Sequence, residues 1–218
     1  EVIREAIYRG ADKGIVLTDR ALGGADTLAT SYSLAMAVKK IGDYDLILGG
    51  RQAIDGDTAQ VGPQIAEKLG LPQVTYAEEI ISAENGKVVI KRRLEHGVET
   101  VACPMPCVVT VNGSAAECRP RNAKRVMKYK RAVSTSEATK LSEAEAAIVA
   151  AHPELTIPEW GAAFVEADPA QIGLPGSPTK GKAIENVVFT AKESRRLDNN
   201  DGQIEELVKE LIANHTIG

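Results

Sequence analysis

The strongest constraint on the fold is an alternation of apolar runs and helix-like segments in the first third of the chain. Residues 14–18 and 45–50 are short apolar runs typical of buried strands. Helical patterns over residues 27–41 and 58–69 follow them. Because a strand–helix–strand–helix order favours parallel strands joined by crossover helices, we expect an α/β fold with a mostly parallel sheet and flanking helices.

The rest of the chain departs from this alternation. Residues 87–94 and 98–103 alternate in polarity and predict a β-hairpin, and residues 107–111 predict another strand. Residues 134–181 have no sustained period and indicate an extended arm, before a final helical pattern with one apolar face over about 200–214. The predicted division is an α/β domain over residues 1–133, with a hairpin region over 86–112, and an arm with a terminal helix over 134–218.

Composition narrows the classes of function. The chain has 218 residues, 44% of them hydrophobic, and a formal charge of −4, so it can bury a core unaided and does not attract nucleic acid through bulk charge. No apolar run approaches the roughly 18 residues of a membrane span. The first residues, Glu1–Glu5, lack the basic and apolar parts of a signal peptide. We therefore expect a soluble, cytoplasmic protein.

Residues suited to metal sites or stacking platforms are scarce. Three cysteines and three histidines argue against a zinc or iron–sulfur centre and against a disulfide framework. Two Phe, five Tyr and one Trp argue against a surface on which several bases or sugars stack. Cys103 and Cys107 lie in a CxxxC run with two prolines, which favours buried structural thiols over a redox pair.

The turn over residues 23–31 is the first candidate ligand site. Gly23 and Gly24 precede a helix start, where free backbone N–H groups and the positive end of the helix dipole can hold a phosphate. Hydroxyl donors follow in the first helical turns. The alternative is an ordinary helix capped by Asp26. The candidate residues are Asp26, Thr27, Thr30 and Ser31.

The loop after the second predicted strand is the other candidate. Loops at the carboxyl ends of parallel strands form the ligand sites of open α/β sheets. Glycines allow a nucleotide to approach closely, an arginine can bind phosphate, and two aspartates can accept hydrogen bonds from ribose or adenine. The alternatives are a Mg²⁺ site, for which a third oxygen ligand is missing, and a polar loop in which Asp57 caps the next helix. The candidate residues are Gly49, Gly50, Arg51, Gln52, Ala53, Ile54, Asp55, Gly56, Asp57, Thr58, Ala59, Gln60 and Val61.

Residues 119–131 form a basic run with seven Lys or Arg side chains and no acidic one. Such runs are usually solvated faces or docking loops. The negative net charge and the single aromatic residue of the run, Tyr129, argue against nucleic-acid binding.

Together these segments resemble the beta subunit of electron transfer flavoproteins. The run Gly50-Arg51-Gln52-Ala53-Ile54-Asp55-x-Asp57 matches that family's nucleotide-binding loop. A second run matches the family's signature through Ile90, Arg92, Glu95, Gly97, Glu99, Val101, Pro106 and Val108-Val109-Thr110, with His96 replacing the usual Gly or Asp. Asp168-Pro169 and residues 173–179 are similar to the family as well. The resemblance implies a Rossmann-like, adenine-nucleotide-binding domain that is N-terminally incomplete here, because the family's first strands precede the helix over residues 1–8.

Two runs resemble the electron-bifurcating branch of the family: the helix start Asp26-Thr27-x-Ala29-Thr30-Ser31 and the loop run Asp55-Gly56-Asp57-Thr58-Ala59-Gln60-Val61-Gly62. This implies a heterodimer with an alpha subunit in which the beta subunit binds FAD and takes electrons from NADH as a transient donor. The electrons pass to ferredoxin or flavodoxin and, through the alpha-subunit FAD, to an acyl-CoA-dehydrogenase-type partner. The beta subunit would not be catalytic alone. Two alternatives stay open: a simple electron carrier that binds AMP structurally, and an adenine-nucleotide-binding regulatory protein.

The resemblance also implies that the basic run contains the loop that docks the dehydrogenase. Simple carriers have a leucine anchor in this loop, and Ala123 occupies that position here. We therefore expect either a different partner or docking that depends more on charge than on an apolar anchor. The arm over residues 134–218 is expected to contact the alpha subunit. The candidate partner-binding residues are Arg119, Arg121, Ala123, Lys124, Arg125 and Met127.

Overall fold

The computed structural model describes residues 1–179, 194, 196–214 and 216. The chain divides into two compact units, Glu1–Lys180 and Gly181–Gly218. The parts of the predicted arm at residues 180–193, 195, 215 and 217–218 lie outside the described residues. The predicted domain division at residue 133 rests on expected partner contacts and stays a prediction.

The described part of the first unit contains six α-helices and nine strands. Its helices are α1 (Val2–Tyr8), α2 (Thr27–Ile41), α3 (Val61–Leu69), α4 (Ala123–Tyr129), α5 (Thr135–Ala138) and α6 (Glu143–Ala151). Its strands are β1 (Val16–Leu17), β2 (Leu46–Gly50), β3 (Gln73–Glu84), β4 (Lys87–Leu94), β5 (Gly97–Pro104), β6 (Cys107–Val111), β7 (Val133–Ser134), β8 (Thr156–Ile157) and β9 (Glu159–Trp160). Short 3₁₀ helices cover Arg20–Leu22, Pro153–Leu155 and Pro169–Gln171.

The main sheet has five strands in the order β2-β6-β3-β4-β5. β6 pairs in parallel with β2 and β3, whereas β4 pairs antiparallel with β3 and β5. The α/β fold class is therefore confirmed, but this sheet is mixed rather than mostly parallel. The reason is that the hairpin strands extend the parallel strands within one sheet instead of forming a separate structure.

Two turns connect the three antiparallel strands. Asn85 and Gly86, both at positive φ, link β3 to β4, as expected for an Asn-Gly hairpin turn. Glu95 and His96 link β4 to β5, which confirms the predicted hairpin. The apolar side chains of these strands face a core that contains Val88 and Ile90, both fully buried.

The opposite face of the parallel strands packs on α2 and α3. Ile65 and Ala66 of α3 contact Val108 of β6 in a second apolar cluster. Gly62 permits this approach, because a Cβ at that position would collide with the Thr110 methyl group. α3 therefore begins directly over the end of β6.

The predicted first strand, residues 14–18, is shorter than expected and lies outside the main sheet. Only Val16–Leu17 is extended, and it pairs in parallel with Glu159–Trp160. An apolar run alone does not reveal its partner, and here the partner lies about 140 residues away along the chain.

Residues 134–179 are folded rather than extended, which corrects the arm prediction for this part. α5 and α6 each start with a capping box, Ser134 with Glu137 and Ser142 with Glu145. Val165 and Ile172 are buried in a third apolar cluster with partly buried side chains of β1 and α2. The segment lacks a period because its elements are short and its buried residues lie in turns.

The second unit contains α7 (Asp201–Ala213), which confirms the predicted final helix. Asn200 caps it by accepting a hydrogen bond from the Gln203 N–H at 3.0 Å. Ile204 and Val208 on its apolar face are exposed. That this face contacts an alpha subunit stays a prediction.

Candidate functional site

The two predicted ligand motifs meet at one edge of the main sheet, where the parallel strands β2 and β6 end. β2 and β6 run parallel, with Gly50 beside Val111, so the loops that follow them start side by side. The start of α2 reaches the same edge, where the Thr27 hydroxyl donates to Gln60 Oε1 at 2.9 Å. The structure therefore brings the α2 start and the end of the β2–α3 loop into direct contact.

Asp26 caps α2, as the sequence indicated. Its Oδ1 accepts from the Leu28 N–H at 2.9 Å and from the Ala29 N–H at 3.1 Å, and its Oδ2 accepts from the Thr179 N–H at 3.1 Å. Desolvation opposes ionisation of this carboxyl, but the hydrogen bonds from the amides of Ala29, Thr179 and Leu28 outweigh it and lower the pKa of Asp26. A negative charge therefore already occupies the positive end of the helix dipole.

The hydroxyl groups of the α2 start differ in their availability. The proton of Thr27 is used in the bond to Gln60, and Ser31, which is buried, donates to the Leu28 carbonyl at 2.8 Å. Thr30 is half-buried, and its hydroxyl has no hydrogen bond within residues 1–179. Thr30 is thus the hydroxyl in this turn that is free to donate to a ligand.

The β2–α3 loop is exposed and holds its charged side chains apart from the rest of the chain. Arg51 and Asp55 are exposed and form no ion pair with any described residue. Ile54 is 99% exposed at the tip of the loop. No atom lies within 4 Å of a Cβ placed at Gly49 or Gly50, so a ligand has open space against this backbone.

The helix after this loop starts later than predicted. The pattern indicated residues 58–69 with Asp57 as a cap, but α3 starts at Val61, and Gln60 occupies the N-cap position without a side-chain capping bond. Asp57 and Ala59 have φ values of 51° and 53°. Because this left-handed backbone is incompatible with a helix, the loop extends by three residues and Asp57 is not the cap.

Gln64 is a polar residue of this region that the sequence interpretation missed. Its Nε2 lies 3.5 Å from the Thr27 hydroxyl oxygen, and its Oε1 is buried without a hydrogen-bond partner among the described residues. Gln64 follows Gln60 by one helical turn, so both amides face the start of α2. Helical spacing from Gln60 was the signal that could have identified it.

The turn after β6 is a further missed part of this edge. Asn112 donates to the Ser114 hydroxyl at 2.8 Å, and Ser114 donates to the Glu78 carboxylate. Arg93 Nε donates to the same carboxylate at 2.5 Å, and the bonds from Arg93 and Ser114 lower the pKa of Glu78. The position of Asn112 directly after a parallel strand was the available sequence signal.

The predicted partner-binding residues have two different environments. Arg121 pairs with Glu5 at 2.7 Å and Arg125 pairs with Asp12 at 3.0 Å, so both guanidinium groups attach the segment to the region of α1. Met127 is 65% exposed on α4. Ala123, Lys124 and Arg119 are exposed as well.

Cysteine positions agree with the interpretation as structural thiols. Cys103 and Cys107 are buried, whereas Cys118 is exposed. Burial, with the neighbouring Cys103 as a second cause, raises the pKa of Cys107 to about 11. Within the described part of the chain, no group of three or more His, Cys, Asp or Glu residues could hold a metal ion. None of the helices described is long and apolar enough to cross a membrane.

Comparison with known proteins identifies the family. A family model described as "Electron transfer flavoprotein domain" matches residues 1–154. The electron transfer flavoprotein subunit beta of Megasphaera elsdenii is 38% identical over 229 positions, which cover 100% of this chain and 75% of the relative. The subunit of the same name from Clostridium acetobutylicum is 40% identical over 178 positions, covering 82% of this chain and 59% of the relative.

A third relative is the caffeyl-CoA reductase–Etf complex subunit CarD of Acetobacterium woodii. It is 52% identical over 110 positions, which cover 50% of this chain and 42% of the relative. The aligned positions thus cover between 42% and 75% of the length of these three relatives. With a family model that covers more than half of its residues, the chain belongs to the electron transfer flavoprotein beta-subunit family.

Proposed function

We propose that this chain is the beta subunit of a heterodimeric electron transfer flavoprotein and binds FAD at the edge formed by the ends of β2 and β6. The observation that supports this most directly is the hydrogen bond from Thr27 to Gln60. It joins two motifs that were predicted separately, one to hold a phosphate and the other to bind a nucleotide. The proposal places the ligand along the β2–α3 loop, beside the start of α2.

The residues at this edge fit an extended nucleotide. The open space at Gly49 and Gly50 admits a ligand, and Arg51 has a guanidinium group free to bind phosphate. Asp55 is free to accept hydrogen bonds from sugar hydroxyl groups. Because the amides of Leu28 and Ala29 already bind Asp26, the proposed phosphate contacts at α2 come from the Thr30 hydroxyl rather than from these amides.

The chain's own task is to bind and orient the cofactor. Oxidation of NADH with delivery of electrons to ferredoxin or flavodoxin, and through the alpha-subunit FAD to an acyl-CoA-dehydrogenase-type partner, is the chemistry that a bound FAD supplies. The match to CarD, a protein named as part of a reductase–Etf complex, supports the bifurcating branch. Arg51, Asp55 and Thr30 fix the position of the ligand by hydrogen bonds and charge.

Docking of a dehydrogenase is proposed for the exposed side of residues 119–131. Arg121 and Arg125 are held by Glu5 and Asp12, so their charges are partly neutralised within the chain. Lys124 forms no ion pair with any described residue. The proposed contact therefore depends on Lys124 and on the exposed Met127.

Counting nucleotides tests the proposal. The chain is coexpressed with the alpha subunit, the purified complex is denatured, and the released FAD and AMP are quantified by chromatography. We expect two FAD per heterodimer and loss of flavin absorbance on addition of NADH. One FAD plus one AMP, with no response to NADH, would support the simple carrier. A stable chain that binds nucleotide without any alpha subunit would support the regulatory protein.

An arginine substitution with a matched control locates the site. Arg51→Ala should reduce the content of the nucleotide bound by this chain, because it removes the free guanidinium group from the loop. Lys87→Ala, which removes an exposed cation from β4, should leave the content unchanged. Equal nucleotide content in the two variants would contradict the proposed location.

A further inference from the structure

Two aspartates hold distant backbone segments while they cap helices. Asp19 Oδ1 accepts from the Ala21 N–H at 3.0 Å, and its Oδ2 accepts from the Ala162 N–H at 3.0 Å. In the same way, Asp26 Oδ1 accepts from the amides of α2, and its Oδ2 accepts from the Thr179 N–H. Each carboxylate therefore joins a local helix start to a segment more than 140 residues away along the chain.

Asp26 makes a second contact with the same distant segment. Its backbone N–H donates to the Ser177 hydroxyl at 2.9 Å, and that hydroxyl donates to the Gly173 carbonyl at 2.6 Å. Ser177 is only 3% exposed, and its hydroxyl group is both donor and acceptor here. Residues 173–179, which we call the strap, are therefore bound to Asp26 in two ways, through the buried Ser177 hydroxyl and through the exposed Thr179 N–H.

Packing of the strap is close as well as polar. A Cβ at Gly24, two residues before Asp26, would lie 2.8 Å from Leu174 Cγ. Gly173 has a φ of 53°, and a Cβ there would collide with the Ala21 carbonyl oxygen. The strap thus packs closely on the turn before α2 at Gly24 and Gly173.

The other side of the α2 start contacts the candidate ligand loop. Thr27, the residue after Asp26, donates to Gln60. One helical turn therefore lies between the strap and the loop, and Asp26 fixes its position through the amides of Leu28 and Ala29. Neither Asp19 nor Ala162 has such a connection to the β2–α3 loop.

We propose that Asp26 is a positioning residue that couples nucleotide binding at the β2–α3 loop to docking of the strap. One carboxylate holds both Thr179 and the first turn of α2, so a ligand that contacts Thr30 and Gln60 stabilises the arrangement in which the strap is seated. Coupling is reciprocal: the seated strap strengthens nucleotide binding by the same factor. The inference rests on the proposed function, because it requires a nucleotide at this site.

Hydrogen exchange and nucleotide affinity test the coupling together. The complex with the alpha subunit is stripped of its releasable nucleotide and titrated with FAD and, separately, with AMP. Exchange of the peptide that covers residues 173–179 is measured with and without each nucleotide. In the wild type we expect the bound nucleotide to slow exchange of this peptide roughly five- to tenfold.

Two substitutions at Asp26 separate capping from coupling. Asp26→Asn retains a good N-cap for α2 but loses one charged acceptor, so the strap should exchange faster and respond less to nucleotide. Asp26→Ala removes both contacts and should weaken nucleotide binding roughly tenfold. If Asp26→Ala fails to fold, Asp26→Asn still carries the test. The matched control, Asn122→Ala, removes the cap of α4 instead and should leave both strap exchange and nucleotide affinity unchanged.

The outcomes distinguish the two proposals. A wild-type complex that binds nucleotide without any change in strap exchange overturns the coupling and leaves the proposed function standing. The same holds if Asp26→Asn loosens the strap but binds nucleotide as the wild type does. A complex that binds neither FAD nor AMP overturns the proposed function and the coupling with it.

Discussion

The two turns that border the candidate site are built in opposite ways. At the start of α2, Asp26, Thr27 and Ser31 have all bound other groups of the chain, and the backbone has close contacts with the strap. In the β2–α3 loop, Arg51 and Asp55 are exposed and unpaired within the described residues, and no atom approaches the strand glycines. The comparison indicates different roles: the first turn mainly fixes geometry and leaves one hydroxyl, Thr30, free for a ligand, whereas the second turn supplies several exposed groups that a ligand can bind.

Two glycine substitutions, one in the strap and one in β2, should give the largest difference in effect between the two regions. Gly173→Ala places a Cβ against the Ala21 carbonyl at a φ of 53°, so we expect it to lower the free energy of unfolding by about 3 kcal/mol or more. Gly49→Ala meets no neighbouring atom and should leave stability nearly unchanged while reducing nucleotide affinity. Denaturant unfolding and nucleotide titration of the complex measure the two effects. Equal stability of both variants would contradict the assignment of a structural role to the first turn.

Substitution of two threonines, one in each turn, should give a difference in stability of intermediate size. Thr27→Val removes the hydroxyl that joins α2 to Gln60, and we expect a loss of about 1 kcal/mol in unfolding free energy together with weaker nucleotide binding. Thr58→Val, at an exposed position in the loop, should change stability by less than about 0.5 kcal/mol. The same unfolding and titration experiments apply. A larger stability loss from the loop variant would reverse the proposed roles.

Lowering the pH should destabilise the start of α2, and we expect this effect to be the smallest of the three. Backbone hydrogen bonds from Ala21 and Ala162 lower the pKa of Asp19, and the amide bonds of Asp26 outweigh its desolvation and lower its pKa as well. Because the folded-state pKa lies below the unfolded value of about 4, this stabilisation is complete above pH 4 and is lost as the pH falls through the folded-state pKa. Both carboxylates are solvent-screened, so we expect Tm to fall by only a few degrees. Thermal melts between pH 6 and pH 3 measure the change, and Asp26→Asn should flatten it; an unchanged slope in that variant would contradict the role of its charge.

Local signals in the sequence predicted much of the fold, and long-range pairings limited the rest. α2 was predicted with its cap because Asp26 and the apolar period point to the same boundary. The predicted start of α3 was wrong because the sequence pattern does not reveal the left-handed backbone of Asp57 and Ala59. The partner of β1 was missed because pairing with β9 depends on tertiary packing rather than on either short segment.

The candidate site was predictable to a similar extent. A strand followed by a glycine-rich loop and a helix predicts which residues lie at the carboxyl edge of a sheet, and Gly50 and Arg51 lie there. The sequence did not reveal that Thr27 bonds to Gln60 or that Thr179 reaches Asp26, because such contacts join segments that are distant along the chain. Whether these residues bind a nucleotide stays a prediction.

One feature of the main sheet matters for how such a subunit is prepared. β2 pairs on one side only, with β6, within the described residues, and its five residues Leu46–Gly50 include no charged side chain to discourage further pairing. Leu48 on this strand is 57% exposed. A strand edge of this kind can accept a further strand, either from the same protein or from a neighbouring molecule, so a preparation of this chain alone is prone to self-association.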